Sequence, residues 1–283
     1  MAPTDGVIQS LESIFHQKPP DGFDAVDPVP LEIPDDVWTN HAYDFVITDV
    51  KVPTGNGGFG EVNSVEYAQI KLPNKVAQDL SGARYEMYKY LRLSLLQKMV
   101  HVLGNGCFGE QTPPLKDKQF HGENPSPLRK AITIARLFCL EKKGGKKPRP
   151  IAVGQTIRRI VARVQGLQDT PALREHFLQK FQGGVGVKSG MEAMYHAQRL
   201  HMEKMCAEDH RKGGQARWNS ENFDQCPAAL QIDFTNGYCQ TQRAKTLATI
   251  RELRSSMLRW YLFCYGQPIV MYLVWQGQVV HEF

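Results

Sequence analysis

Two groups of residues in this sequence could take part in the chemistry of phosphates. Eleven Lys and Arg residues lie between Arg129 and Arg163, against one acid, Glu141. Asp233 ends the apolar run ALQID. A carboxylate at the end of a strand can hold a divalent cation against a phosphate, and dense positive charge favours a polyanion. The charge alone fits a solvated basic surface equally well, so the surrounding pattern has to decide.

The order of the residues in the basic stretch predicts a β-hairpin. Apolar runs at Ile132–Leu140 and Pro150–Val153 flank a turn rich in Lys and Gly, as strands of a hairpin do. This geometry presents Lys142 and Arg149 on one ribbon. The hairpin is followed by apolar residues at helical spacing, which predict one buried helix face: Ile157, Ile160, Val161 and Val164.

The same helix carries three arginines away from its apolar face, at Arg158, Arg159 and Arg163. A phosphate contact by one of them and a plain solvated face are equally compatible with this pattern.

Three blocks resemble reverse transcriptases of non-long-terminal-repeat retrotransposons. The basic segment with KPRPIAVG (147–154) resembles the fingers hairpin of that family. FQGGVGVKSGMEAMYHAQRL (Phe181–Leu200) resembles its glycine-rich block leading into a helix under the template, and AALQIDFTNGYCQTQR (Ala228–Arg243) its palm strand with the first catalytic aspartate. The blocks follow the family's order and cover about 132–283. The resemblance implies an α+β fold with polymerase fingers and a partial palm.

The resemblance also implies roles for individual residues. Lys142 and Arg149 would grip the triphosphate of the incoming nucleotide, and Asp233 would be the first catalytic aspartate and a ligand of Mg²⁺. Phe234 would lie at the backbone contact beside the metal, and Tyr238 under the sugar. Contacts with nucleic acid are expected from Lys143, Lys146, Lys147, Gly186 and Lys188.

The implied activity is RNA-directed DNA synthesis, with an RNA template, a DNA primer and deoxynucleoside triphosphates as partners. The family's Q-G-D-P segment and its turn with two aspartates do not occur in these 283 residues. One carboxylate cannot hold two ions, so the sequence predicts a truncated portion that is inactive by itself. A non-catalytic nucleic-acid-binding protein derived from a retroelement is the main alternative.

A second alternative rests on a glycine-rich stretch near the N-terminus. Residues 55–62 match the G-x-G-x-F-G-x-V loop of protein kinases, and AQIK (68–71) follows. Val62 and Lys71 are nine residues apart, which is tight for two strands and a turn. The sequence lacks the H-R-D and A-P-E motifs, and IDFTNGY has Thr235 where D-F-G needs glycine. A surface glycine loop is the favoured interpretation.

Composition divides the chain into three parts. Residues 1–40 are acidic and rich in proline, and the first 50 residues contain ten acids and one base. Such a segment is predicted to be mostly disordered, although Val7–Phe15 could form a short amphipathic turn. Residues 41–128 form a poorly specified, partly helical extension, and 129–283 contain the polymerase-like part. The oligomeric state is open.

The cysteine pattern and the N-terminus predict an intracellular protein, nuclear or cytoplasmic. Six cysteines occur without a C-x-x-C pair, which suggests free thiols. The first residues lack a basic start followed by a long apolar run, so secretion is not expected. The apolar run 260–275 is too short and interrupted for a membrane span.

Further helices and strands are predicted from periodicity. Residues 76–103 carry a helical apolar stripe that includes Leu95, and Thr170–Phe181 is predicted to be a separate short helix starting at Thr170–Pro171. One palm helix is expected over 243–266. Two strands joined at Gln276–Gly277 are expected over 267–283.

Overall fold

The computed structural model describes residues 5–15, 35–106, 127–140, 149–180, 182–211, 241–267, 269–276 and 278–283. These residues form an α+β structure, as predicted. The chain divides into two compact units, Met1–Gln168 with Asn236–Phe283, and Asp169–Thr235. The helices and strands in chain order are α1 (Asp5–Phe15), β1 (Asp49–Pro53), β2 (Phe59–Asn63), α2 (Ser64–Ile70), α3 (Tyr85–Lys89), α4 (Leu93–Gly104), α5 (Pro127–Thr133), β3 (Ala135–Leu140), β4 (Arg149–Gly154), α6 (Thr156–Leu178), α7 (Gly190–Arg211), α8 (Arg243–Leu253), α9 (Leu258–Tyr265), β5 (Met271–Trp275) and β6 (Gln278–Glu282).

The first unit contains a four-stranded sheet in the order β4-β3-β5-β6. Strands β3 and β4 are antiparallel and in register from Ala135 opposite Gly154 to Leu140 opposite Arg149, which confirms the predicted hairpin. Strand β5 joins the other edge of β3 in parallel, and β6 then pairs antiparallel with β5. The strand pair predicted over 267–283 is therefore confirmed, and β5 has neighbours on both sides.

The main core of this unit lies between helices. The apolar face predicted for α6 is buried, and it meets residues of α2, α4 and α9. Trp260 and Phe263 of α9 stack with ring centroids 5.6 Å apart inside this core. Val65 and Leu96 come from the range 41–128, so this range and the polymerase-like part share one core.

Three helix predictions need correction. Residues 76–103 form two helices, α3 and α4. The side-chain amide of Gln69 donates hydrogen bonds of 2.9 Å to the carbonyls of Tyr88 and Leu91. These bonds provide partners for backbone carbonyls where α3 ends. Leu95 is 47% exposed because it faces away from the buried side of α4. Residues 243–266 form α8 and α9, separated by a 3₁₀ turn at Ser255–Met257.

Helix α6 is also longer than predicted. It runs unbroken through Pro171 to Leu178, where the sequence predicts a second helix starting at Thr170. A proline inside a helix removes one backbone hydrogen bond and crowds the preceding turn, which costs about 3 kcal/mol, although its fixed φ is helical. A Thr-Pro pair therefore favours the start of a helix, but here Pro171 lies in the interior of α6.

The acidic N-terminal part contains two folded segments, of which α1 covers the amphipathic turn expected at Val7–Phe15 and the other, residues 35–44, was not predicted. Helix α1 places Leu11 against Leu137 and Leu273 of the sheet, where it is fully buried. Residues 35–44 form two short 3₁₀ helices. Both segments contain apolar side chains that are buried in the folded chain. The average composition of the first 40 residues does not reveal these side chains.

The second ordered segment is held by arginines of α8 and α9. Arg259 is buried, donates to the Val37 carbonyl at 2.9 Å and pairs with Asp44. Arg251 forms an ion pair with Asp36 at 3.2 Å. The segment 35–44 is therefore an integral part of the first unit.

Candidate functional site: a basic cleft beside the hairpin

Most residues predicted to act on nucleotide or metal lie outside the described residues. These are Lys142, Lys143, Lys146, Lys147, Asp233, Phe234 and Tyr238. Arg149 is the first residue of β4 and lies opposite Leu140. The hairpin thus places Arg149 at the end where the connection 141–148, with its lysines, begins and ends. The structure does not test whether these side chains meet at one site.

Gly186 and Lys188 are described and belong to the second unit. Gly186 has φ +67°, and a Cβ there would come within 2.9 Å of side-chain atoms of Thr170 and Arg174. Close packing of this turn on α6 therefore accounts for the glycine without a ligand. Lys188 is exposed, and its contact with nucleic acid stays a prediction.

A cleft of about 530 Å³ lies at the opposite end of the hairpin from the 141–148 connection. Its floor includes small residues of the paired strands β3 and β4, such as Ala135 and Gly154. Five residue steps of about 3.4 Å separate Gly154 from Arg149, so the two ends of β4 are about 17 Å apart. The Gly154 end of the cleft therefore lies well away from Arg149.

Three arginines from two helices line this cleft. Arg158 and Arg159 come from the first turn of α6, and Arg243 begins α8. The Arg158 guanidinium lies 4.9 Å from the ring centroid of Tyr265 and donates to the Thr133 carbonyl at 3.2 Å. Arg243 donates to the Tyr265 carbonyl at 3.4 Å. Tyr265 therefore orients both cations without neutralising either of them.

Arg159 is held in the same way. Its guanidinium lies 4.6 Å from the ring centroid of Tyr85, and its Nη2 donates to Thr156 Oγ1 at 3.1 Å. Its Nε atom is buried without a hydrogen-bond partner. Within the described ranges no carboxylate pairs with Arg158, Arg159 or Arg243, whereas Arg251 of α8 and Arg259 of α9 have acidic partners.

A buried arginine adds positive charge to the surroundings of the cleft arginines. Arg129 is 1% exposed, and its Nε donates to the Phe263 carbonyl at 2.8 Å. Burial, and then the positive charges of Arg158 and Arg243, lower the pKa of Arg129 to about 10. Burial raises the pKa of the Cys264 thiol to about 11 although Arg158 and Arg129 oppose the rise. At neutral pH the Arg129 guanidinium is therefore charged and the Cys264 thiol is not.

The position of the cleft arginines depends on a capping carboxylate from a distant loop. Asp79 Oδ2 accepts a 2.7 Å hydrogen bond from the backbone N–H of Thr156, the first residue of α6. Its Oδ1 accepts from the backbone N–H groups of Ser81 and Ala83 at 3.0 Å. A carboxylate at a helix N-terminus is stabilised by the helix dipole as well. This cap fixes the turn that carries Arg158 and Arg159.

The glycine-rich stretch near the N-terminus forms a hairpin loop without the kinase arrangement. Strands β1 and β2 pair around it, and the exposed Gly57 has φ +79°. The residues AQIK do not form the following strand that carries the lysine in kinases. They lie at the end of α2, and Lys71 caps that helix. The structure therefore gives no support to the kinase-like alternative.

Other features bear on the expected metal and membrane properties. Among the described residues, no group of three or more His, Cys, Asp and Glu side chains could hold a metal ion. The expected Mg²⁺ ligand, Asp233, lies outside them. None of the helices in the described ranges is long and apolar enough to cross a membrane. The two cysteines with described surroundings, Cys139 and Cys264, are free thiols.

Comparison with known proteins adds no assignment. No protein-family model matches the chain, and no curated protein sequence matches it.

Sequence reasoning singled out Arg158 and Arg159 but missed Arg243 and Tyr265 as their neighbours. Arg243 lies 84 positions after Arg159, and no local pattern connects the two. The clearest signal available was the excess of arginine in the first turn of α6, where cations oppose the helix dipole.

Proposed function

We propose that this chain is the fingers and first palm portion of an RNA-directed DNA polymerase. The observation that carries the proposal is the β3–β4 hairpin, whose register puts Arg149 at the end next to the lysine-rich connection. A hairpin of this form can direct cations at a triphosphate from one side. The three sequence blocks in family order support the same function.

In this proposal, each part has a separate physical task. Lys142 and Arg149 hold the triphosphate of the incoming nucleotide through charge-assisted hydrogen bonds. The remaining lysines of the connection attract the nucleic-acid backbone. Asp233 is the first of the carboxylates that hold Mg²⁺, which neutralises charge on the reacting phosphate oxygens when it is bound. Tyr238 lies under the sugar.

The hairpin assignment can be tested on the chain as it stands, by the binding of a fluorescent deoxyadenosine triphosphate. Replacing Lys142 and Arg149 with Ala should weaken binding at least tenfold, because two charged contacts to phosphate are lost. Replacing Lys51 and Lys98 with Ala removes the same charge from exposed positions on β1 and α4. This control should change affinity less than twofold.

Equal losses in the two double variants would refute the grip by the hairpin. Binding of RNA without specific binding of the triphosphate would favour the alternative of a non-catalytic nucleic-acid-binding protein. Such a protein keeps the basic surface but has no need of a triphosphate site.

A further inference from the structure

We propose that the cleft lined by Arg158, Arg159 and Arg243 binds the phosphates of a nucleic-acid strand, as a contact region separate from the hairpin connection. The inference rests on the proposed function only in taking nucleic acid as the partner. It concerns a different set of residues, at the other end of β4.

The first argument is the electrostatic repulsion between the arginines of the cleft. Three arginines, Arg158, Arg159 and Arg243, line one cleft. Like charges brought together in a partly buried place repel each other unless an anion is bound. Aromatic rings and backbone carbonyls hold Arg158 and Arg243 in position. Neither kind of contact neutralises positive charge, so within the described part of the chain these two guanidinium groups are left for an anion to bind.

The second argument concerns which anion fits. A nucleoside triphosphate is normally bound with a divalent cation, and protein carboxylates hold that cation. Those cleft-lining residues that belong to the described ranges contribute guanidinium groups, one tyrosine and small or apolar side chains, and none of them is a carboxylate. Guanidinium groups pair directly with phosphate oxygens in planar geometry. A phosphodiester strand without a tightly held metal matches this lining better than a triphosphate does.

The third argument is accessibility. Arg158, Arg159 and Arg243 are all half-buried, so their guanidinium groups are oriented by contacts yet reach solvent. The floor of small residues leaves room for a backbone to approach. At Gly154 even an added Cβ would only reach ordinary contact with Arg158, at 3.7 Å. The cleft is therefore open enough for a strand to lie across it.

The decisive variant places a negative charge in the cleft without touching an arginine. Ala162 lines the cleft, is exposed and lies within α6, so Glu fits the helix there. Ala162→Glu should weaken binding of a fluorescent single-stranded RNA about tenfold. It should also reduce the slope of log affinity against log salt by about one, because roughly one phosphate contact is lost.

Two matched controls separate the effect of the charge in the cleft from the effects of side-chain size and of the overall net charge. Ala162→Gln has the same shape without the charge. Arg163→Gln changes the net charge by the same amount at the neighbouring position of α6, where the side chain is exposed and outside the cleft. Both should change RNA affinity less than twofold. Circular dichroism and thermal unfolding would test whether all three variants remain folded.

The results discriminate between the possible outcomes. Equal affinities for Ala162→Glu and the two controls would overturn the proposal. If Ala162→Glu weakens binding of inorganic tripolyphosphate but not of RNA, the cleft takes a free polyphosphate, and the assignment to a strand is wrong. Failure of the Lys142 and Arg149 test with success here would remove the polymerase assignment and leave the cleft as a nucleic-acid site.

Discussion

Asp79 offers the sharpest test of how the cleft is held in place. Its carboxylate is 2% exposed and accepts hydrogen bonds from three backbone N–H groups and from the Ser81 hydroxyl, the last at 2.6 Å. With its amide nitrogen turned toward the carboxylate, Gln155 donates a further bond at 2.8 Å. Asp79→Ala removes every one of these acceptors at once.

The expected loss of stability follows from which donors water can reach. Thr156 is fully buried, so its N–H loses a charged acceptor without replacement, at a cost of about 1.5–3 kcal/mol. Ser81 is exposed and Ala83 is half-buried, so water replaces much of their loss, and each adds about 0.5 kcal/mol. Asp79→Ala should therefore lower the free energy of unfolding by about 2.5–4 kcal/mol. Asp79→Asn keeps one acceptor oxygen and should cost about half as much.

The same carboxylate makes stability depend on pH. Burial raises the pKa of Asp79, but hydrogen bonds from Ser81, Thr156 and Ala83 outweigh it, and the pKa lies below the usual 3.8. A carboxyl with a lower pKa in the folded state stabilises the fold above its unfolded pKa and loses this contribution as the pH falls. The stability difference between the native chain and Asp79→Asn should be constant above about pH 5 and shrink below 3.8.

Urea unfolding followed by tryptophan fluorescence at several pH values measures both effects. Asp49→Asn is the matched control, because Asp49 is an exposed carboxylate on β1. A loss below 1 kcal/mol for Asp79→Ala, or an unchanged difference for Asp79→Asn down to pH 3, would contradict the capping role. Because the cap fixes the turn with Arg158, Asp79→Ala should also weaken RNA binding, and Asp49→Asn should not.

Two further predictions concern the N-terminal part of the chain. Leu11→Ala should expose α1 to limited proteolysis, because a fully buried leucine on the sheet typically contributes about 2–5 kcal/mol to stability. Gln9→Ala is the control, because Gln9 is exposed. Equal cleavage of the two variants would exclude the packing of α1 on the sheet. Gly57→Ala should cost about 1–2 kcal/mol for its positive φ. It should leave nucleotide affinity unchanged, since a tenfold loss in a folded variant would restore the kinase-like alternative.

The sequence by itself determined the elements whose signal is local. Alternating and continuous apolar runs around a Lys-Gly turn predicted the β3–β4 hairpin, because a hairpin needs only neighbouring residues and a turn. The spacing of Ile157 to Val164 predicted the buried face of α6 for the same reason. Charge density predicted a basic functional region. It could not say which arginines share a surface.

Tertiary structure decided where helices stop and which charges meet. The break after α3 depends on Gln69, whose amide reaches carbonyls about 20 positions away, and no periodicity contains that contact. Leu11 in the acidic N-terminal part is buried because it packs against Leu137 and Leu273 of the sheet. The composition of the segment does not reveal this contact. Arg243 joins Arg158 and Arg159 in one cleft because the sheet and α9 bring the starts of α6 and α8 together. Such long-range proximity is a property of packing, so it is absent from any window of the sequence.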